Sequence, residues 1–194
     1  DFRKALVIGS ESFSKILDWS DRSTSVLFGD GAGAFILEKS KEHSEWGILS
    51  SNFYSNGKFS DILYTDGGPS LNSNVGNVRM NGKEVFKHAV EKLSSCVLEA
   101  INDANLKIQD IDFLVPHQAN LRIIESLAKK LSMPIEKIIN TVDIHANTSA
   151  ASIPLALNDA IERNKIRNGD IIALNAIGGG LSWGASVIKY GKPD

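Results

Sequence analysis

Apolar residues in this chain fall into two patterns: short unbroken runs, and stripes at helical spacing. The run Ala5-Leu6-Val7-Ile8, ended by Gly9 and Ser10, predicts a buried strand. Residues 16–24, rich in Asp and Ser, read as a loop. Val26-Leu27-Phe28 then leads through Gly29-Asp30-Gly31-Ala32-Gly33 into a second strand at 34–38. Residues 40–80 are the least regular. They follow a charged stretch at 38–45 and hold a strand at 48–54, the turn signal Asp66-Gly67-Gly68-Pro69-Ser70 and a polar loop at 72–77. From Gly82 the period changes. Phe86, Val90, Leu93, Val97 and Ile101 recur at intervals of four or three, one apolar stripe along about five helical turns.

Residues 111–115 predict a strand closed by Pro116. A second helix follows with Leu121, Ile124, Leu127, Ala128 and Leu131 on one side, ending before Pro134, and residues 137–141 predict another short strand. Thr148 or Ser149 is placed to cap a third helix running through Ala160. Pro154 lies inside that helix, so a kink or a late start is expected. Strands at 171–175 and 186–190, hinged at Gly178-Gly179-Gly180, complete the chain. The order helix, strand, helix, strand, helix, strand, strand predicts an α/β fold whose mixed sheet, flanked by helices, ends antiparallel.

Composition narrows the classes of function. The chain has 194 residues, 42% of them hydrophobic, and a net charge of −2. That balance argues against a nucleic-acid surface, which needs a strongly basic face. No apolar run approaches the roughly 20 residues that span a bilayer, so no membrane segment is expected. A single cysteine, Cys96, excludes a disulfide framework and fits a reducing, cytoplasmic setting. It sits beside the helical stripe without an activating partner and reads as a small buried hydrophobe. The start Asp1-Phe2-Arg3-Lys4 has neither an initiator methionine nor a signal peptide, so the chain is expected to be a piece of something longer.

The alternating glycines at 29–33 precede a strand rather than a helix and match neither GxGxxG nor the P-loop, so close backbone packing or a tight turn is the better account. The chemistry lies elsewhere, in Val115-Pro116-His117-Gln118-Ala119-Asn120-Leu121-Arg122 and His145-Ala146-Asn147-Thr148-Ser149-Ala150. Each run puts a polar residue where a strand gives way to a helix, the edge at which α/β sheets bind ligands. Two readings stand for each. His117 either satisfies loop backbone or acts, held neutral by the positive end of the following helix. Asn147 either caps a turn or acts; its match to a glycosylation sequon is fortuitous without a secretory signal. Two neutral hydrogen-bonding groups in successive loops suit stabilisation of charge on a carbonyl oxygen, and the glycine turn after Asn175 can add a backbone N–H. Acyl or enolate chemistry follows, without a metal: ligation needs three converging ligands, and His43 and His88 lie in unrelated contexts. The one GxSxG match, Gly180-Leu181-Ser182-Trp183-Gly184, lies between two predicted strands and not at a strand-to-helix turn, which argues against a serine hydrolase. Arg122, Lys129 and Lys130 read as a solvated helix face or, beside an active-site mouth, as binders of a phosphate or an acidic carrier.

These runs, with Asn147-Thr148-Ser149-Ala150-Ala151-Ser152-Ile153-Pro154, Gly178-Gly179-Gly180 before Trp183-Gly184, Asp21-Arg22, residues 28–34 and residues 80–87, resemble the β-ketoacyl-acyl carrier protein synthase III family. The resemblance runs from about residue 5 to 190 and is weakest at 40–78. It implies a thiolase-like fold, normally two similar halves assembled as a homodimer, with residues 1–80 ending the first half and residues 81–194 forming the second. It also implies decarboxylative condensation of acetyl-coenzyme A with malonyl-acyl carrier protein, starting fatty-acid synthesis. No cofactor is implied beyond the coenzyme A thioester, which is substrate. By resemblance His117 and Asn147 stabilise the enolate, and Gly179 supplies an oxyanion-hole N–H. Gln118, Ala119, Asn120, Leu121 and Arg122 match the carrier-protein docking segment. Phe86, Asn120 and Arg122 match residues along the acyl pocket and pantetheine channel. Ala146 stands where glycine is common, and Leu181 where an aromatic is common. The family's nucleophilic cysteine precedes the segment resembling residues 1–10, and Cys96 does not match it, so these residues alone are expected to be inactive and poorly soluble. The rival readings are another thiolase-superfamily acyltransferase and a non-catalytic carrier-protein or coenzyme A binding module.

Overall fold

The computed structural model describes residues 2–39 and 45–191; His43 and most of the charged stretch at 38–45 lie outside the described residues. The elements in order are β1 (Lys4–Glu11), α1 (Arg22–Ser25), β2 (Gly31–Glu38), β3 (Gly47–Ser55), β4 (Leu63–Thr65) and β5 (Val78–Met80). They continue with α2 (Gly82–Asp103), β6 (Phe113–Pro116), α3 (Leu121–Leu131), α4 (Val142–His145), α5 (Ser152–Glu162), β7 (Ile171–Gly178) and β8 (Ser182–Lys189). Strands β3, β8, β7 and β6 form one mixed sheet in that order. Only the β6–β7 pair is parallel; β3–β8 and β7–β8 are antiparallel. This is the predicted α/β class.

Strand alternation sorts the core onto the two faces of that sheet. Leu114, Ala173, Ala185 and Val187 join Val97, Ala100 and Ile101 of α2 and Ile124, Ala128 and Leu131 of α3. Val115 and Ile172 point the other way, into Ala156, Leu157 and Ala160 of α5. Burying each of the Val, Leu and Ile side chains among them stabilises by about 1.5–3 kcal/mol. The α2 stripe is confirmed, with Leu93, Val97 and Ile101 buried. On α3, Ile123 takes an inner position and Leu121 is 46% exposed, because the first residue of the helix projects from its N-terminal end.

Beyond α5 lies a second sheet, the antiparallel ribbon β1–β2. Close approach explains its glycines: a Cβ at Gly33 would lie 2.5 Å from Pro154 Cβ, and one at Gly9 would strike the Ala150 carbonyl. The glycine run is thus a packing device, as its lack of a following helix implied. The ribbon departs from the buried strand predicted at 5–10. Its second face carries Leu6, Ile8 and Ile36, each more than 60% exposed.

Three further expectations change. Residues 137–141 do not extend a sheet; a 3-10 turn at Ile135–Lys137 leads into a single bridge between Ile138 and Leu114. The segment 16–24 contains the short α1, whose cap Asp21 accepts a hydrogen bond from Ser23 N. Neither Thr148 nor Ser149 caps α5 with its side chain: a 3-10 turn, Ser149–Ala151, comes first and α5 starts late, at Ser152. Pro154 therefore sits in the first turn, where its missing N–H costs nothing.

Candidate active site

The parallel pair β6–β7 ends with Pro116 opposite Asn175. His117 follows immediately, its backbone N–H donating to the Asn175 carbonyl at 2.7 Å. The histidine thus stands on the C-terminal edge of the parallel strands, where the ends of an α/β sheet leave a crevice. It is 8% exposed. Its Nδ1 lies 2.7 Å from Ser152 Oγ, at the first residue of α5. Burial pushes its pKa down to about 4, with the Ser149 backbone acting in the opposite direction. The ring is therefore neutral near pH 7, as expected. Burial is the main cause, whereas the sequence ascribed the effect to the following helix.

Asn147 reaches the same place from another direction. Its N–H donates to the Leu27 carbonyl at 3.0 Å, and its carbonyl accepts from Gly29 N at 2.9 Å. Phe28, between those partners, stacks on Phe13 with ring centroids 4.5 Å apart. Segment 27–29 therefore clamps the Asn147 backbone from both sides. The Asn147 side-chain Oδ1 accepts from Ser149 N at 3.0 Å, which leaves the amide NH₂ to donate. Residues 147–152 thus hold both groups: Ser149 N binds the asparagine, while the Ser149 backbone and Ser152 hydroxyl meet the histidine.

The glycine turn lies farther along β7. Gly178 pairs with Ser182, so Gly179 stands at the tip of the β7–β8 hairpin. A Cβ there would come within 2.9 Å of the Leu63 carbonyl of β4. Phe86 is half-buried against Ala89, Leu93, Ile123 and Leu127 together with Ala119 and Ile177. The exposed Arg122 guanidinium lies 5.4 Å from the Phe86 ring centroid, bringing those two residues together. Asn120 caps α3 through Oδ1, which accepts from Ile123 N at 3.0 Å.

Gln118 requires a correction. It is fully buried, and its amide donates to the Pro116 and Ile139 carbonyls while its Oε1 accepts from Thr141 N. A carrier protein cannot reach that side chain; it ties β6 to the loop before α4. Ala119 and Asn120 are half-buried, and Leu121 and Arg122 are exposed. Cys96 is buried and its thiol is pushed up to about 12, first by desolvation and then by Glu99, so it is not a nucleophile near neutral pH. Among the described residues no group of His, Cys, Asp and Glu could hold a metal ion.

Sequence reasoning missed Ser152, whose contact with His117 spans 35 positions. It also missed the side chain of Asn175, which donates to the Leu93 carbonyl at 3.1 Å. Neither partner has a spacing signal, because both contacts depend on how α5 and α2 meet the sheet.

A helix held between two sheets, with neutral donors gathered at the strand ends, is the architecture of the thiolase-like condensing enzymes. Comparison with known proteins gives the particular family. The description 3-oxoacyl-[acyl-carrier-protein] synthase III fits residues 1–57, and that of the same enzyme's C-terminal part fits residues 101–190. A β-ketoacyl-[acyl-carrier-protein] synthase III of Wolbachia pipientis wMel is 58% identical over 186 residues, covering 96% of this chain and 58% of the relative. One from Sphingopyxis alaskensis is 53% identical over 187 residues, with the same coverages. The crystal structure of 3-oxoacyl-[acyl-carrier-protein] synthase III from Aquifex aeolicus superposes with a TM-score of 0.90 at 43% identity, covering 97% of this chain and 58% of the other. A priming β-ketosynthase of the R1128 polyketide pathway superposes at 0.87 with 31% identity, covering 99% of this chain and 58% of that one. The chain belongs to the β-ketoacyl-acyl carrier protein synthase III family, and it spans a little under three fifths of the length of these relatives.

Proposed function

We propose that this chain is the second thiolase-like half, with the end of the first, of a β-ketoacyl-acyl carrier protein synthase III. In the full-length protein His117 and Asn147 hydrogen-bond the thioester oxygen of malonyl-acyl carrier protein as carbon dioxide leaves. The observation that carries this reading is the convergence of two buried, neutral side chains through residues 147–152. Loss of carbon dioxide places negative charge on the thioester oxygen, and preorganised N–H donors stabilise that enolate in a water-poor site. The resulting carbanion attacks an acyl group held as a thioester on a cysteine outside these residues, releasing the thiolate and forming the β-ketoacyl product. The acyl group, acetyl in this reading, comes from coenzyme A, and no further cofactor takes part. Gly179 donates its backbone N–H to the oxyanion of acyl transfer.

Carrier docking falls to the exposed Leu121 and Arg122 at the start of α3, with Ala119 and Asn120 behind them. The pantetheine arm passes Asn120 and Arg122 towards Phe86. Residues 1–80 close the first thiolase-like half and, as connecting chain, donate β3 to the sheet of the second half, residues 81–194. The intact protein is a homodimer acting in the cytoplasm. Among the described residues no helix is long and apolar enough to cross a membrane.

The test uses full-length protein, acetyl-coenzyme A and malonyl-acyl carrier protein. His117→Ala and Asn147→Ala should each lower condensation at least about 100-fold while acetyl transfer to the enzyme persists. A wild-type protein that forms no β-ketoacyl product, or variants that condense like wild type, would overturn the reading. Likeness to a priming β-ketosynthase favours one second reading, the start of a polyketide chain; preference for a longer acyl primer would support it.

A further inference from the structure

We propose that Ser152 is a positioning residue that fixes the His117 tautomer, placing the ring proton on Nε2, so that the histidine presents a donor to the substrate. Ser152 is 1% exposed at the first position of α5. Its Oγ has two hydrogen-bond partners among the described residues. One is the Gln118 backbone N–H at 3.3 Å, which can only donate. The other is His117 Nδ1 at 2.7 Å. A buried hydroxyl must place its own proton on an acceptor or leave it unsatisfied at a cost of about 1–3 kcal/mol. With Gln118 N–H occupying a lone pair, the acceptor within reach is Nδ1. A ring that accepts at Nδ1 and is neutral carries its proton on Nε2.

Gln118 completes the relay. Its fully buried amide is anchored to Pro116, Ile139 and Thr141, which sets the direction of its backbone N–H towards Ser152. The competing arrangement has Nδ1–H donating towards Ser152 Oγ or the neighbouring Ser149 backbone. That tautomer would turn a lone pair, not an N–H, to the thioester oxygen and would repel the developing enolate. The inference deepens the proposed function and rests on it only for its catalytic consequence; the tautomer itself is a property of the fold.

The experiment takes full-length protein labelled with ¹⁵N-histidine and records long-range ¹H–¹⁵N correlations of the imidazoles at pH 7, with His117→Gln assigning the ring. Wild type should show the Nε2–H tautomer. Ser152→Ala should convert it to a mixture or to Nδ1–H and lower kcat about 10-fold or more at an unchanged KM for acetyl-coenzyme A. Ser152→Thr, which keeps the hydroxyl, should restore both. An Nδ1–H tautomer in wild type overturns the inference, as does a Ser152→Ala protein with unaltered tautomer and kcat. If Ser152→Ala does not fold, the wild-type and Ser152→Thr spectra still decide. A correct tautomer in a protein that cannot condense would instead overturn the proposed function and leave this inference standing.

Discussion

Ala146 and His117 show how single residues carry the tension of this site. Ala146 has φ 57° and ψ −161°, a region open essentially to glycine, and it directly precedes Asn147. The strain follows from the clamp: with Asn147 held by Leu27 and Gly29, the chain leaving α4 must turn through this conformation. Ala146→Gly should therefore stabilise the full-length protein by about 1 kcal/mol in urea denaturation, despite the entropy glycine adds to the unfolded chain. An unchanged or lowered midpoint would contradict the strain. His117 carries tension of an electrostatic kind. Its pKa is held at about 4 when folded, against 6.5 for an ordinary histidine. Between those values the unfolded chain binds a proton that the folded protein refuses, so stability falls as pH drops from about 6.5 to 4. The loss attributable to this residue is on the order of 3 kcal/mol and is complete below pH 4, where both states are protonated. His117→Gln should show a shallower decline than wild type over that window; identical slopes would mean the ring is not buried as described.

At the scale of elements, the contact between α5 and the β1–β2 ribbon decides where Asn147 and Ser152 stand. The ribbon reaches the helix only because Gly9 and Gly33 have no side chains to hold it off. Gly33→Val would push branched carbon into Pro154, and the resulting shift should cost about 1–3 kcal/mol. Condensation should fall with it, because segment 27–29 leads into the same strand that would have to move. Thermal denaturation and kcat measured on one preparation test the coupling, and a stability loss without any change in rate would disprove it. The elements themselves were legible from their patterns. The α2 stripe, the strand closed by Pro116 and the late start of α5 all follow from periodicity and proline chemistry. Residues 137–141 misled because Ile138 and Ile139 are buried without a ladder: Ile138 forms one bridge and Ile139 N donates to Leu114, after which the chain turns into α4.

Across the whole molecule, the face of the ribbon turned away from α5 is its least settled surface. Leu6 pairs with Ile36 and Ile8 with Ala34, placing an apolar stripe in solvent. A stripe of this kind on an open ribbon invites association. Residues 1–194 prepared alone should elute as a concentration-dependent mixture of oligomers and bind a hydrophobic dye, whereas the full-length protein should not. Leu6→Asp with Ile36→Lys should suppress the association, and a monodisperse wild-type monomer would refute it. The longer helices and strands, the α/β class and the two loops that carry His117 and Asn147 were legible before any fold was known, because these depend on local periodicity and on residues that start or stop helices. The tertiary structure alone decided that Gln118 is internal wiring and that Ser152 meets the histidine. It also decided that a segment 120 positions before Asn147 clamps the asparagine's backbone. Those contacts are made between elements far apart in the chain, and no local pattern encodes the directions from which packed elements approach.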